Sequence, residues 1–407
     1  MNWFLLIFLL VLSHSSLCHS SDDLTLLKNK RILHISTHPG LGMGDHVCKI
    51  NIFKILREFG YDSRIFLVDD QEEQARFVKQ GIPFYSCTLP YKINRGEELY
   101  KAIDDICRRD NIDIIHAHHL DGRYPEEIFA AVSVAKRLPV AVVITHHSGW
   151  LDKSLPLDGV DGVMSVHFEI VKRLNEINRS QHKNIKIIEW VPPFVDQNRF
   201  AEFKPLYTRK EFFKKIAKVD VQSRPVVACV ANFYPVKNHI TLLHAIRALI
   251  YDFKKPVHLM LAGDGCKKHD CKALVQRLKL QKYVHFLGYT NQIPELLYHS
   301  DIKVLPSTME GFSIALMEAA MLKKPLVGTR GTGMTSMIID GQTGLLFNAK
   351  NSDELAHCVL RLIKDPSLAK KLGNGVYEHF YENFTAEACL KKLAHVYVAA
   401  LSGKARA

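Results

Sequence analysis

The chain has 407 residues, 47% of them hydrophobic and 24% charged, too long for one ordinary α/β domain and comfortable for two. These are the fractions of a folded globular protein, and with no short repeat or low-complexity block they exclude a disordered, collagen-like or solenoid chain. Lys and Arg number 54 against 42 Asp and Glu, a formal charge of +12, which suits contact with phosphate on a nucleotide, a nucleic acid or an anionic lipid.

The basic residues are scattered, with no stripe interleaved with aromatics, so a nucleic-acid partner is not expected. The densest stretch, Arg209 to Lys218, reads as an amphipathic helix with a solvated basic face; contact with an anionic membrane surface is the sharper alternative. The nine cysteines are singletons without a CxxC, which supports neither a disulfide framework nor a zinc ribbon and fits a reducing compartment.

In chain order, Phe4 to Leu12 is an uninterrupted apolar run, the length of a signal-peptide core and short for a membrane span. No basic residue precedes it, so residues 1–22 read either as a cleaved signal or as a retained anchor, outside the fold. From Arg31 the chain alternates apolar strands with helical stretches. Arg31 to Thr37, Arg64 to Asp70, Asp113 to His119, Val140 to His147, Gly162 to His167 and Ile185 to Val191 are near-continuous Val/Ile/Leu runs, as in strands buried on both faces of a parallel sheet.

A break at Pro192-Pro193 and from Asp196 to Arg224 precedes a second series: Pro225 to Phe233, Val257 to Gly263, Val284 to Tyr289, Ile302 to Ser307 and Pro325 to Thr329. The expected architecture is α/β, with two Rossmann-like doubly wound domains facing across a cleft. The expected divisions are 1–22, a first domain 23–200, a second domain 201–385, and a helix in 386–407 that crosses back to the first.

Ser300 to Leu322 is the stretch richest in chemistry. A strand ends at Pro306, a turn carries Glu310 and Gly311, and a helix starts near Ser313, so Glu310 lies beside a helix amino terminus whose free N–H groups attract phosphate or hydroxyl oxygens. Glu318 follows inside that helix, where a carboxylate can accept two hydrogen bonds, as from a ribose diol. Two solvated acids are the bland alternative, weakened by the flanking PST and GFS.

This segment resembles the PS-x-x-EGF-x5-E signature of the family-4 retaining glycosyltransferases, which have the GT-B fold, and the resemblance runs over nearly the whole chain after Leu27. It implies a hexosyltransferase-like enzyme that takes a sugar from a nucleotide-sugar donor, a co-substrate, and passes it to a glycan or lipid-linked acceptor without a metal cofactor. It assigns donor-sugar contacts to Glu310 and the amides of Gly311, Phe312 and Ser313, and the ribose to Glu318. In Val230 to His239, Lys237 resembles the family's pyrophosphate lysine, and Asn232 stands where an arginine is usual. In the glycine-bearing loop His38 to Val47, the diphosphate-contacting glycine falls on Gly42. Gly263-Asp264-Gly265, Gly333 and Asp340-Gly341 match further turns, read as structural.

Five histidines end two predicted strands: His116, His118 and His119, then His146 and His147. A metallohydrolase motif is nearly present, but Leu120 occupies the acid position, so a hydrolase is the weaker alternative. The resemblance places His147 beside the donor sugar as a catalytic candidate with Glu310 and Lys237, and gives His116 and His118 packing or orienting duty. A non-catalytic nucleotide-sugar-binding partner is the other alternative, favoured by Asn232. Cytosolic donors and the apolar amino terminus together suggest the cytosolic face of a membrane, with export after signal cleavage as the alternative.

Overall fold

The computed structural model describes residues 21–36, 52–68, 84–87, 95–119, 125–147, 155–194, 203–310 and 312–404, together with 74–75, 77–78, 151 and 200. Its core is two parallel sheets. The first has seven strands: β1 (Arg31–Ser36), β2 (Asp62–Val68), β3 (Phe84–Cys87), β4 (Ile114–His119), β5 (Ala141–His146), β6 (Gly162–Ser165) and β7 (Ile187–Trp190), in the order β3-β2-β1-β4-β5-β6-β7. The second has six: β8 (Val226–Val230), β9 (His258–Ala262), β10 (Val284–Gly288), β11 (Ile302–Leu305), β12 (Leu326–Thr329) and β13 (Leu345–Phe347), in the order β10-β9-β8-β11-β12-β13.

Both orders reverse direction once, between β1 and β4 in the first sheet and between β8 and β11 in the second. In an open doubly wound sheet the crevice at that reversal, outside the carboxyl ends of the strands, is where ligands bind. Both sheets are Rossmann-like. The inner strands are buried on both faces, β4, β5, β9, β11 and β12 along their whole length, because helices cover each side, whereas β7 and β10 are half-buried.

Two strands lie outside the sequence reading, β3 and β13. Phe84–Cys87 is a four-residue edge strand of mixed polarity, and Leu345–Phe347 has three residues behind a turn, so neither carries a long apolar run. Helices Ser352–Lys364 and Pro366–Asn383 complete the second unit. The basic helix covers Arg209–Ile216, capped by Thr208 and Glu211 in a reciprocal box. Its Phe212 and Phe213 are fully buried against Val226, Met260 and Leu296, so the apolar face that a membrane would need is already covered.

The last helix, Ala386–Leu401, packs Leu390, Leu393, Ala394, Tyr397 and Ala400 against Ile114, Ala141 and Val143 of the first sheet. The Cys389 thiol donates to the Pro192 carbonyl at 3.2 Å, and the Lys186 ammonium donates to the Ala400 carbonyl at 2.9 Å. A short helix, Ser21–Leu26, begins just ahead of the expected boundary and is tied to the last one by Asp23, 3.1 Å from the His395 ring. Residues 1–20 lie outside the described residues. Among the described residues, no helix is long and apolar enough to cross a membrane.

Candidate active site

The loops after β8 and β11 form one structure at the switch point of the second sheet. After β8 the chain runs through Asn232 into a 3-10 turn, Pro235–Lys237, and Asn238 adopts left-handed backbone (φ 51°) to start helix His239–Arg247. After β11 it runs through Pro306, Ser307 and Thr308 to Glu310. Three hydrogen bonds lace the loops: Thr308 N–H to the Val236 carbonyl (2.8 Å), the Thr308 hydroxyl to the same carbonyl (3.3 Å), and the Asn238 amide to the Pro306 carbonyl (3.3 Å).

This lacing brings Lys237 and Glu310 together. The Lys237 ammonium donates to both Glu310 oxygens, at 2.9 and 2.8 Å, with side chains 24% and 9% exposed. The Glu310 carbonyl accepts from the Gly333 amide at 2.8 Å, which anchors the loop on the turn after β12. A cation and a carboxylate so held present opposite charges within one hydrogen bond of each other, facing a partly open site.

Helix Ile314–Met321 follows. Ser313 is its cap in extended backbone, with no side-chain bond to the first turn; its carbonyl accepts from the Leu316 N–H at 3.1 Å, and the N–H groups before Leu316 are the ones placed for an anion. Phe312 packs its ring 5.2 Å from Phe384, which in turn lies 5.8 Å from Trp190 at the end of β7. Glu318 is 8% exposed on the same helix. Gly311 and Gly42 lie outside the described residues.

The glycines of the turn after β9 have a packing reason. A Cβ on Gly263 (φ +139°) would lie 2.2 Å from the Ala231 carbonyl, and one on Gly265 (φ +146°) would lie 2.8 Å from that of Phe233. The turn thus supports the segment that carries Asn232, with Phe233 N–H donating to the Asp264 carbonyl at 2.8 Å. His239 stacks on Phe233, ring centres 4.2 Å apart, and burial pushes its pKa down to about 4.

The switch point of the first sheet is a stack of histidines. Nδ1 of His34, on β1, is 3.1 Å from Nε2 of His118, whose Nδ1 is 3.1 Å from Nε2 of His147. His116 lies beside them, Nε2 at 2.6 Å from the Thr145 hydroxyl and Nδ1 at 2.8 Å from the Tyr397 hydroxyl of the last helix. Burial holds His34 down to about 3 and His116 well below the ordinary range, so both rings are neutral at pH 7.

The five histidines of the sequence reading therefore do not converge on one point. His119 faces Glu127 (Nδ1 to carboxylate, 3.3 Å) and His146, while His116, His118 and His147 gather with His34. The ring nitrogens of His34, His116 and His118 come within 4.8 Å of one another, yet both of His116's and both of His118's face hydrogen-bond partners. A cation placed there would have to displace those bonds.

The sequence reading missed His34 and Tyr397, which come from opposite ends of the chain. It also missed Lys303, a lysine inside an otherwise apolar strand. Asn232 and Lys237 sit in one loop, and Glu310, Phe312, Ser313 and Glu318 in the next element at the same switch point; His147 belongs to the switch point of the other sheet.

Two parallel sheets of Rossmann order, each with polar residues at its reversal, define a GT-B architecture, and the comparisons agree. A model described as Glycosyl transferases group 1 matches residues 209–379, and one described as Glycosyl transferase 4-like domain matches residues 50–168. The chain belongs to the family-4-like GT-B glycosyltransferases. It is 24% identical over 383 residues to N-acetyl-alpha-D-glucosaminyl L-malate synthase of Bacillus anthracis, covering 89% of this chain and 95% of the relative. It is 22% identical over 377 residues to a trehalose synthase of Thermococcus litoralis, covering 88% of each. Among solved structures, a glycosyltransferase from Rickettsia africae superposes with a TM-score of 0.78 at 20% identity, covering 92% of this chain and all of that one. Anabaena Alr3699/HepE, solved with UDP, gives 0.75 at 18% identity, covering 91% of this chain and all of that one.

Proposed function

We propose that this glycosyltransferase takes a hexose from a nucleotide-sugar donor and delivers it, with retention at the anomeric carbon, to a glycan or lipid-linked acceptor. The observation that carries the reading is the Lys237–Glu310 pair at the switch point of the second sheet. An arriving diphosphate competes with Glu310 for Lys237. The ammonium then offsets the negative charge that grows on the leaving diphosphate, and the freed carboxylate accepts hydrogen bonds from the sugar hydroxyls. The N–H groups ahead of Ile314 lie against the same anion, and Glu318 accepts from the ribose. His147 meets the sugar from the first domain, and the family resemblance gives Gly42 the diphosphate contact on that side. With these groups supplying the positive field, the reaction uses no metal cofactor. Retention rests on the family resemblance, and the donor class is supported by the Anabaena structures with UDP and with UDP-glucose.

The test is transfer from labelled UDP-, GDP- and ADP-sugars to a mixed acceptor pool, with the product's anomeric proton read by NMR. One nucleotide-sugar giving a product of unchanged anomeric configuration is expected; an inverted product would refute retention. In Glu310→Gln the rate should fall about 100-fold or more, comparable to removing one preorganised polar contact to the transition state.

Asn232, in place of a cation, favours a second reading in which the protein binds the donor without turning it over; binding without transfer by any donor would support it. We further propose that Phe4 to Leu12 holds the protein at the cytosolic face of a membrane. Recovery of the expressed protein as a soluble species beginning near Ser20 would instead favour export.

A further inference from the structure

Lys303 is fully buried in the middle of the second sheet, paired in register with Ala228 on one side and Leu326 on the other. Isolated charges inside a protein are costly, and an apolar side chain of similar length is usually as stable or more so. Its ammonium donates to the Val230 carbonyl, at a long 3.4 Å. That carbonyl ends β8, two residues ahead of Asn232. The side chain thus runs from mid-strand toward the carboxyl edge of the sheet, at the switch point where the loops of Lys237 and Glu310 meet. Packing alone gives no reason for an ammonium here.

Charge does. Among the described residues the charged groups that act on Lys303 are the carboxylates of Glu310 and Glu318 and the ammonium of Lys237, so without Lys303 this set is net negative and repels a diphosphate. We infer that Lys303 is a buried positioning cation for the donor diphosphate, supplying from within the sheet a second positive charge, beside that of Lys237, which the neutral Asn232 does not provide. This rests on the nucleotide-sugar reading above and deepens it.

The titratable groups that act electrostatically on the ammonium are Cys229 and His239 from β8 and its following helix, Lys237 from the 3-10 turn, Glu310 from the loop after β11 and Glu318 from the helix beyond. Burial is the main influence and pushes the Lys303 pKa down to about 8. A bound diphosphate stabilises the protonated form, so bound protein holds the proton more tightly than free protein. Diphosphate affinity should therefore be constant at neutral pH and fall as pH rises above about 8.

The experiment is calorimetric titration of the full chain and of Lys303→Met with UDP, GDP and ADP at pH 7 and pH 9.5, with the matching nucleoside as a phosphate-free control. The variant is expected to fold with a Tm no lower than wild type. It should bind the preferred diphosphate about tenfold or more weakly at pH 7, bind the nucleoside unchanged, and lose the alkaline fall in affinity. Adding Asn232→Arg to Lys303→Met should restore diphosphate affinity without restoring the pH dependence. Wild-type affinity and pH profile in a folded Lys303→Met would overturn the inference while leaving the donor reading intact. If wild-type protein binds none of the three diphosphates, the donor reading falls first and this inference with it.

Discussion

At the scale of the residue, burial decides which imidazoles can carry charge. His34, His116 and His239 are held neutral, His34 down to about 3 and His239 to about 4, whereas in the unfolded chain they titrate near 6.5. As pH falls through 6.5, the unfolded chain takes up protons that the native state refuses. The stability present above 6.5 is therefore lost on acidification, at about 1.4 kcal/mol per pH unit for each group. Between pH 6.5 and 5 His34 and His239 together should remove about 3 kcal/mol, with His116 acting in the same direction, measured as urea-unfolding free energy. A flat profile would show that these rings are solvated or charged in the native state. The acids and Lys237 were legible in the sequence because their motif is contiguous, from Glu310 to Glu318 and from Asn232 to Lys237. His34, Thr145 and Tyr397 were not, since only folding brings residues so distant in the chain into one hydrogen-bonded stack.

The elements explain how loops with few regular bonds hold a defined shape. The loop carrying Asn232 rests on the turn after β9, whose backbone approaches so closely that Gly263 has no room for a Cβ. Gly263→Ala should destabilise the protein by more than about 1 kcal/mol, through left-handed backbone and contact with the Ala231 carbonyl. It should also weaken nucleotide binding, because the segment at Asn232 has to move. Unchanged melting and unchanged titration by UDP would show that the turn yields without disturbing the site. Long apolar runs made β4, β5 and β8 readable. Short strands such as Leu345–Phe347 escape because three residues carry no periodicity, and Lys303 escapes because a lysine in a strand reads as solvent-facing unless both sheet faces are known to be covered.

For the whole molecule, the division into two α/β units follows from two series of buried strands separated by a Pro-rich break. Sequence periodicity cannot say which strand lies beside which. The order in each sheet comes from the register of β1 with β4 and of β8 with β11, and that order puts the Lys237–Glu310 pair and the histidine stack each at a reversal. The chain leaves the second unit after Asn383, and the last helix, Ala386–Leu401, buries Tyr397 against His116 of the first. The net charge of +12 belongs to this scale too, and is of the sign that favours encounter with anionic ligands.

A nucleoside diphosphate is expected at the second sheet's switch point. Thermal unfolding of the full chain with UDP, GDP or ADP tests it most directly. A ligand at 100 times its dissociation constant adds about 2.7 kcal/mol of stability. One nucleotide should raise Tm, and Glu318→Ala should abolish the rise while still folding. No shift with any of the three, or a shift that Glu318→Ala leaves intact, would show that this switch point is not the nucleotide site.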